Sequence, residues 1–339
     1  QAFPAETRPL TKKSCLAMEG PVPEVNFSPF CVELPLPGQP MKVTEEQLEV
    51  GKQLHEILTT HGFVYAFGLL SPQEIAEVFS GSRTFFSPAT DRSTLPRLTP
   101  QTNVGYGGPG HEALNARRAG DLKENFNLRK ETLKDGTLNF QEGLPNYCHR
   151  VWDLCATAAQ RALLAFGVAL ELPDPAAFVN CCNTWDSCTL RLLHYPASEA
   201  SQSDASALPC GEHTDFGAVT VLLLEDGVPG LEVRTPSGWI SAPGKEGAVV
   251  LNTGALLARW CNDFVKATPH RVVATNQERF SVAFFVDPDK DTLVSALPEF
   301  TKERPAKYGP IIAGEYLRQC LTGAMHGALS EEAKKSLAI

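Results

Sequence analysis

The residues of this 339-residue chain with the clearest chemical meaning are His213-Thr214-Asp215. An imidazole and a carboxylate two positions apart on an extended segment share a face and can reach one metal ion. Alone the pair says little, since about 0.3 such pairs arise by chance at this composition. His270 lies fifty-five residues beyond Asp215 and heads another apolar run. Two imidazoles and one carboxylate form a face suited to non-haem Fe(II), with three positions left open for a co-substrate and O2. Nine residues further on, Arg279-Phe280-Ser281 puts a guanidinium and a hydroxyl on one face of a strand. That pair can hold a carboxylate through bidentate, charge-assisted hydrogen bonds. His55, His61, His111, His149 and His326 read as hydrogen-bonded structural residues. His194, next to Tyr195, should point to the opposite face of its strand and also reads as structural.

These groups need a rigid frame. After Pro173 the chain breaks into short apolar runs: Thr189–Tyr195, Ala218–Leu224, Gly230–Thr235, Trp239–Ala242, Ala248–Asn252, His270–Thr275 and Arg279–Val286. Turn signals such as Asp226-Gly227 and Pro236-Ser237-Gly238 separate them, which indicates a sandwich or barrel, here a jelly roll. Upstream, Thr44 and Gln47 fit a capping box for a helix running through Leu58, and Gly62–Leu69 reads as a strand. Ser71-Pro72 opens a second helix to about Phe86, and Pro145–Leu172 is the longest amphipathic segment. Gly105–Gly110 reads as a surface or lid loop, because no G-x-x-x-x-G-K-[ST] follows that would make it a phosphate cradle. A helical segment from about Ile311 to Leu321 closes the pattern.

Composition bounds the partners. A hydrophobic content of 43% supports a sizeable core, while 30 Lys+Arg against 39 Asp+Glu leave a net charge of −9. Such a balance opposes binding to nucleic acid or an anionic membrane, so neither is an expected partner. No apolar run approaches a membrane span, and the first twenty residues show no secretory signal. The ten cysteines lack paired CxxC knuckles and read as reduced packing residues outside the metal site. A cytoplasmic location is the expectation, although the chain begins at Gln1.

With these motifs in order, the sequence resembles the isopenicillin N synthase-like Fe(II)/2-oxoglutarate-dependent oxygenase family. Gly230-Leu231-Glu232-Val233, Gly238-Trp239-Ile240, Asn252-Thr253-Gly254, Arg259-Trp260-Cys261-Asn262 and His270-Arg271-Val272 look like its barrel. Asn103–Tyr106, Asp121–Phe126 and His194-Tyr195-Pro196 look like its earlier motifs, and the resemblance spans roughly residues 40 to 320. It implies a mainly β fold with surrounding α-helices: a double-stranded β-helix (cupin-like) core with a helical N-terminal region and a C-terminal helix. His213, Asp215 and His270 would bind Fe(II); Arg279 and Ser281, helped by Tyr195, would grip the distal carboxylate of 2-oxoglutarate; O2 is consumed and ascorbate is supportive. Two departures touch no ligand: Leu193 stands where relatives often carry Asn, and Ala255 where many carry Asp.

Strand alternation nominates substrate contacts. Arg191 shares the inward face with Tyr195, and Phe285 and Asp287 share it with Arg279 and Ser281. Phe216 is a candidate wall residue, and Asn125, Tyr106, Arg117 and Arg118 are further candidates from the first half. Arg191 is an inward charge that suggests an anionic substrate or, equally, a salt bridge to a nearby acid. The expected organisation is one oxygenase domain over residues 1–339, with a substrate-contacting region at about 40–172, a jelly-roll core at about 173–290 and a C-terminal segment at 291–339. The expected activity is oxidation of a small, carboxylate-bearing or amino-acid-like metabolite by a monomer, through hydroxylation, desaturation or cyclisation, with release of succinate and CO2. An iron oxidase that does not use 2-oxoglutarate and a catalytically silent ligand-binding protein are the alternatives.

Overall fold

The computed structural model describes residues 21–34, 41–99, 101–111, 123–134, 136, 138, 142–197 and 210–326. The strands are β1 (Glu24–Asn26), β2 (Phe63–Phe67), β3 (Gly105–Gly107), β4 (Glu124–Leu128), β5 (Thr189–Tyr195), β6 (Cys210–His213) and β7 (Val219–Leu224). They continue with β8 (Leu231–Thr235), β9 (Gly238–Ser241), β10 (Ala248–Thr253), β11 (His270–Val272), β12 (Arg279–Val286), β13 (Leu293–Val294) and β14 (Ile311–Ile312). The helices are α1 (Glu45–Thr60), α2 (Pro72–Phe86), α3 (Leu144–Ala169), α4 (Ala177–Cys181), α5 (Ala255–Trp260) and α6 (Ala313–His326). Eight strands form one sheet in the order β1-β2-β10-β7-β12-β5-β4-β3, four form a second in the order β6-β11-β8-β9, and β13 pairs with β14. This is the double-stranded β-helix with its helical surround.

Alternation along the strands sorts the side chains into two cores. Phe280, Val282, Phe284 and Val286 of β12, with Leu190 and Leu192 of β5, join the cluster that α1, α2 and α3 cover. Leu193, Tyr195, Leu222, Leu224 and Ala283 point the other way, into a second cluster with Leu231, Val233 and Val272 of the small sheet. Strands buried on both faces read as continuous apolar runs, which is why β5, β7 and β12 stand out in the sequence. Each fully buried Leu or Phe here contributes about 1.5–3 kcal/mol. Capping boxes begin α1, between Thr44 and Gln47, and α2, between Ser71 and Glu74.

Some elements depart from expectation. The glycine-rich segment is not wholly a loop: Gly105–Gly107 is an edge strand, held by pairing Tyr106 with Phe126 of β4. Strands β1, β4 and β6 and helix α5 carry no periodic signal long enough to be read. Among the described residues no helix is long and apolar enough to cross a membrane.

Candidate metal centre and active site

Two antiparallel strands of the small sheet bring the histidines together, with His213 and His270 directly paired across β6 and β11. Their ring centroids are 4.3 Å apart, and each Nε2 lies 3.7 Å from Asp215 Oδ1. The three candidate ligand atoms all fall within 4.8 Å of one another. An ion about 2.1 Å from each would sit among donors about 3–4 Å apart, so the cluster fits a small divalent metal.

The outer hydrogen bonds point each ligand inward. His213 Nδ1 faces Gly211 O at 2.7 Å and His270 Nδ1 faces Thr268 O at 3.2 Å. A carbonyl only accepts, so each Nδ1 carries the hydrogen and each Nε2 keeps its lone pair for a metal. Asp215 Oδ2 accepts from Thr220 Oγ1 at 2.5 Å and from Asn252 Nδ2 at 2.6 Å, which leaves Oδ1 facing the histidines. Burial and the neighbouring His213 push the His270 imidazole down to about 4, so it is neutral at neutral pH. Burial opposes ionisation of Asp215, but His270, His213 and the two hydrogen bonds outweigh it and hold the carboxyl below its usual range. Thr220 and Asn252 are functional positions that sequence reasoning missed.

The loop carrying Asp215 is packed backbone to backbone. A Cβ on Gly254 would lie 2.3 Å from Gly217 O, and one on Gly217 would lie 2.1 Å from Asp287 Oδ1, so only glycine fits at either place. Through this contact Gly254, at the start of α5, seats the loop, and Ala255 N donates to Asp215 O at 2.8 Å.

The metal cluster opens on a cavity of about 120 Å³. Tyr195, Arg191, Arg279, Ser281, Phe285 and Asp287 line it, as alternation predicts, and so does the wall candidate Phe216. Arg279 packs over the Tyr195 ring, 4.7 Å from its centroid, and its Nη1 and the Ser281 Oγ are buried without a hydrogen-bond partner. Leaving such groups unpaired costs about 1–3 kcal/mol each, and a ligand carboxylate would satisfy both. Thr214 Oγ1, between the two metal-ligand candidates, is likewise buried and unpaired. The residues present thus fit both Fe(II) and a carboxylate-bearing co-substrate.

Arg191 is held by a side-chain amide and an aromatic ring. Its Nε donates to Asn127 Oδ1 at 2.8 Å, and its guanidinium lies 5.5 Å from the Phe285 centroid. Asn127 Oδ1 also accepts from Asn125 Nδ2, and Asn127 Nδ2 donates to Asn103 Oδ1 at 2.8 Å. Asn125 is thus buried behind the wall as a support for Asn127, and it does not line the cavity as a substrate contact.

Tyr106 is corrected outright. Its strand turns it to the helix-covered face, where its hydroxyl donates to Glu124 and Arg92 sits over its ring. His194 lies on that face too, between Glu124 Oε1 at 2.6 Å and Glu278 Oε1 at 2.8 Å, and stacked on Phe280. Arg117 and Arg118 lie outside the described residues. The cysteine expectation needs one correction: Cys210 lines the cavity, its Sγ 3.9 Å from His213 Nδ1. The nine described cysteines form no disulfide. Lys123, Asn103 and, from α6, Leu317 and Leu321 also line the cavity without having been anticipated. The α6 leucines sit in an amphipathic helix whose inner face the sequence leaves unassigned.

Comparison with known proteins agrees with this geometry. Residues 186–288 match the 2OG-Fe(II) oxygenase superfamily, and residues 25–152 match the N-terminal region described as that of a non-haem dioxygenase in morphine synthesis. A 2-oxoglutarate-Fe(II) type oxidoreductase, hxnY, of Emericella nidulans is 30% identical over 295 residues, 79% of this chain and 82% of that protein. A homoarginine-6-hydroxylase of Oryza sativa subsp. japonica is 29% identical, over 88% of this chain and 95% of the relative. The structure of full-length Neurospora crassa T7H in complex with alpha-KG superposes with a TM-score of 0.76 at 29% identity, covering 92% of this chain and 99% of that one. Two histidines and an aspartate facing one point, in a barrel shared with these proteins, place the chain in the 2OG-Fe(II) oxygenase superfamily, whose members use Fe(II), 2-oxoglutarate and O2.

Proposed function

We propose that His213, Asp215 and His270 hold Fe(II), that Arg279, Ser281 and Tyr195 seat 2-oxoglutarate, and that the cavity beside them oxidises a small carboxylate-bearing or amino-acid-like metabolite. The two unpaired buried donors, Arg279 Nη1 and Ser281 Oγ, carry this reading, because a carboxylate is the ligand they lack. Iron with bound 2-oxoglutarate supplies the oxidising chemistry, and succinate and CO2 are the co-products. The chain's own residues orient and exclude. Asn252 and Thr220 fix the Asp215 carboxylate, the Gly211 and Thr268 carbonyls fix the imidazoles, and Leu193, Leu222, Val272 and Phe285 keep the cavity wall dry. Arg191, braced by Asn127, would meet an acidic group of the substrate. The relative named for hydroxylating homoarginine and the T7H complex with thymine support a small-molecule substrate.

The test is anaerobic addition of 2-oxoglutarate to the Fe(II)-loaded protein, followed by a metabolite screen that reads O2-dependent succinate release. A charge-transfer band, abolished by Arg279→Ala, and succinate release with acidic metabolites are expected. Absence of the band refutes the co-substrate site.

A further inference from the structure

Among the described residues, Asp287 is the one acidic side chain in the cavity wall besides the metal-ligand candidate Asp215. It directly follows β12 and continues the inward face of Arg279, Ser281, Ala283 and Phe285. It is 7% exposed, and no hydrogen bond or ion pair to its carboxylate exists among the described residues. The backbone there is fixed, since its N–H donates to Cys188 Sγ at 3.3 Å and its carbonyl accepts from the same thiol at 3.5 Å. One carboxylate oxygen abuts Gly217, where no Cβ would fit. The side chain is therefore held at the cavity wall by packing, with its hydrogen-bonding capacity unspent.

A buried carboxylate is expensive to ionise, and burial pushes this one up to about 7, with Arg129 pulling down and Asp215 adding to the rise. Neither Arg191 nor Arg279 makes an ion pair with it. Arg191 springs from opposite Ala283, whose backbone is about 13 Å along the strand from Asp287, and its guanidinium lies over the ring of Phe285. A wall that carries a guanidinium over Phe285 and, two residues further on, a carboxylate with no hydrogen bond or ion pair among the described residues matches a dipolar ligand. Resting on the reading above, we propose that Asp287 selects the substrate by pairing with a cationic nitrogen, an ammonium or guanidinium, on the molecule that the cavity oxidises. The substrate class is then a small zwitterion, its acidic end toward Arg191 and its basic group toward Asp287.

The test uses the full chain, loaded anaerobically with Fe(II) and 2-oxoglutarate, and calorimetric titration at about pH 8, where the carboxylate is ionised. The probes are methylguanidinium and the uncharged N-methylurea, of nearly the same shape. Methylguanidinium should bind the unmodified protein at least about tenfold tighter than N-methylurea, and Asp287→Asn should level the two. Equal affinities in the unmodified protein, no binding of methylguanidinium, or a preference that survives Asp287→Asn each overturn the proposal. The selectivity is read first in the unmodified chain, so a variant that folds poorly does not blunt the test. The 2-oxoglutarate charge-transfer band reports separately on the co-substrate site, so its absence and the loss of cation selectivity are distinguishable failures.

Discussion

Asn252→Ala isolates what the outer hydrogen bonds do for the metal centre. Asn252 sits on β10 directly across from Thr220 of β7, and the pair delivers two donors to one oxygen of Asp215. Asn252 is 2% exposed, so solvent does not replace its amide. A hydrogen bond to a charged group is worth about 1.5–3 kcal/mol, which at about 1.4 kcal/mol per decade is a ten- to hundredfold loss of Fe(II) affinity. Thr220→Val, of matching shape, should cost a similar amount, and the double variant less than the sum because both donors serve one atom. There is also a pH signature. With a donor gone, burial acts on Asp215 with less opposition, its pKa rises, and Fe(II) must displace a proton at a higher pH. The affinity deficit should therefore widen as the pH falls. The assay is anaerobic Fe(II) titration at saturating 2-oxoglutarate, with the apoprotein Tm as a control for folding. Unchanged affinity in both single variants at unchanged Tm would falsify this account of how Asp215 is oriented.

Arg279→Ala should weaken 2-oxoglutarate binding by about two orders of magnitude and Ser281→Ala by less than tenfold, since one removes a charge and the other a single hydroxyl; calorimetry checks the order, and equal losses contradict it. Gly217→Ala drives a methyl onto Asp287 and should cost about 1–3 kcal/mol, visible as a Tm lowered by several degrees; an unchanged Tm means that the loop has room to move. Burial works against the charged forms in the His194 cluster, yet Glu124 and Glu278 raise His194 above its usual 6.5, and His194, Tyr106 and Arg92 lower Glu124 below 4.5. The stabilisation from His194 is complete below 6.5 and is lost as pH rises through its elevated value; that from Glu124 is present above 4.5 and is lost as pH falls through its depressed value. The Tm difference between the unmodified protein and His194→Gln should therefore be largest at about pH 5–6 and shrink toward pH 8, whereas a flat difference contradicts the ion pairing.

Much of the fold is legible in local pattern. Strands β5 and β12 begin and end as read, because turn residues bracket them and their alternation separates Arg279, Ser281 and Phe285 from Phe280, Val282 and Phe284. The metal cluster is legible too, since His213, Asp215 and His270 carry rare chemistry in a fixed order. Several of the failures come from strand pairing, which local pattern does not show. Tyr106 was assigned to the cavity, but pairing opposite Phe126 sends it to the other face. Asn125 is buried and spends its amide on Asn127, which in turn holds Arg191, so it supports the wall without lining it. Thr220 and Asn252 are ordinary residue types whose value appears only once β10 lies beside β7. Cys210 seemed remote because the partner that brings it to the site, Val272, is sixty-two positions away.

The anchorage of the three metal ligands has a mechanical consequence. The two imidazoles ride on the four-stranded sheet, whereas the Asp215 carboxylate is tethered through Thr220 and Asn252 to the eight-stranded one. An ion held by all three is a rivet between two separately woven layers, added to the apolar cluster that already packs them together. Loading it should slow amide hydrogen exchange in β6 and β11 far more than in β10 or β12, and exchange that falls equally in both sheets, or not at all, would show that the layers do not part. Iron supply would then govern how long the folded chain survives as well as whether it works, because a layer that opens more often is a layer a protease reaches first.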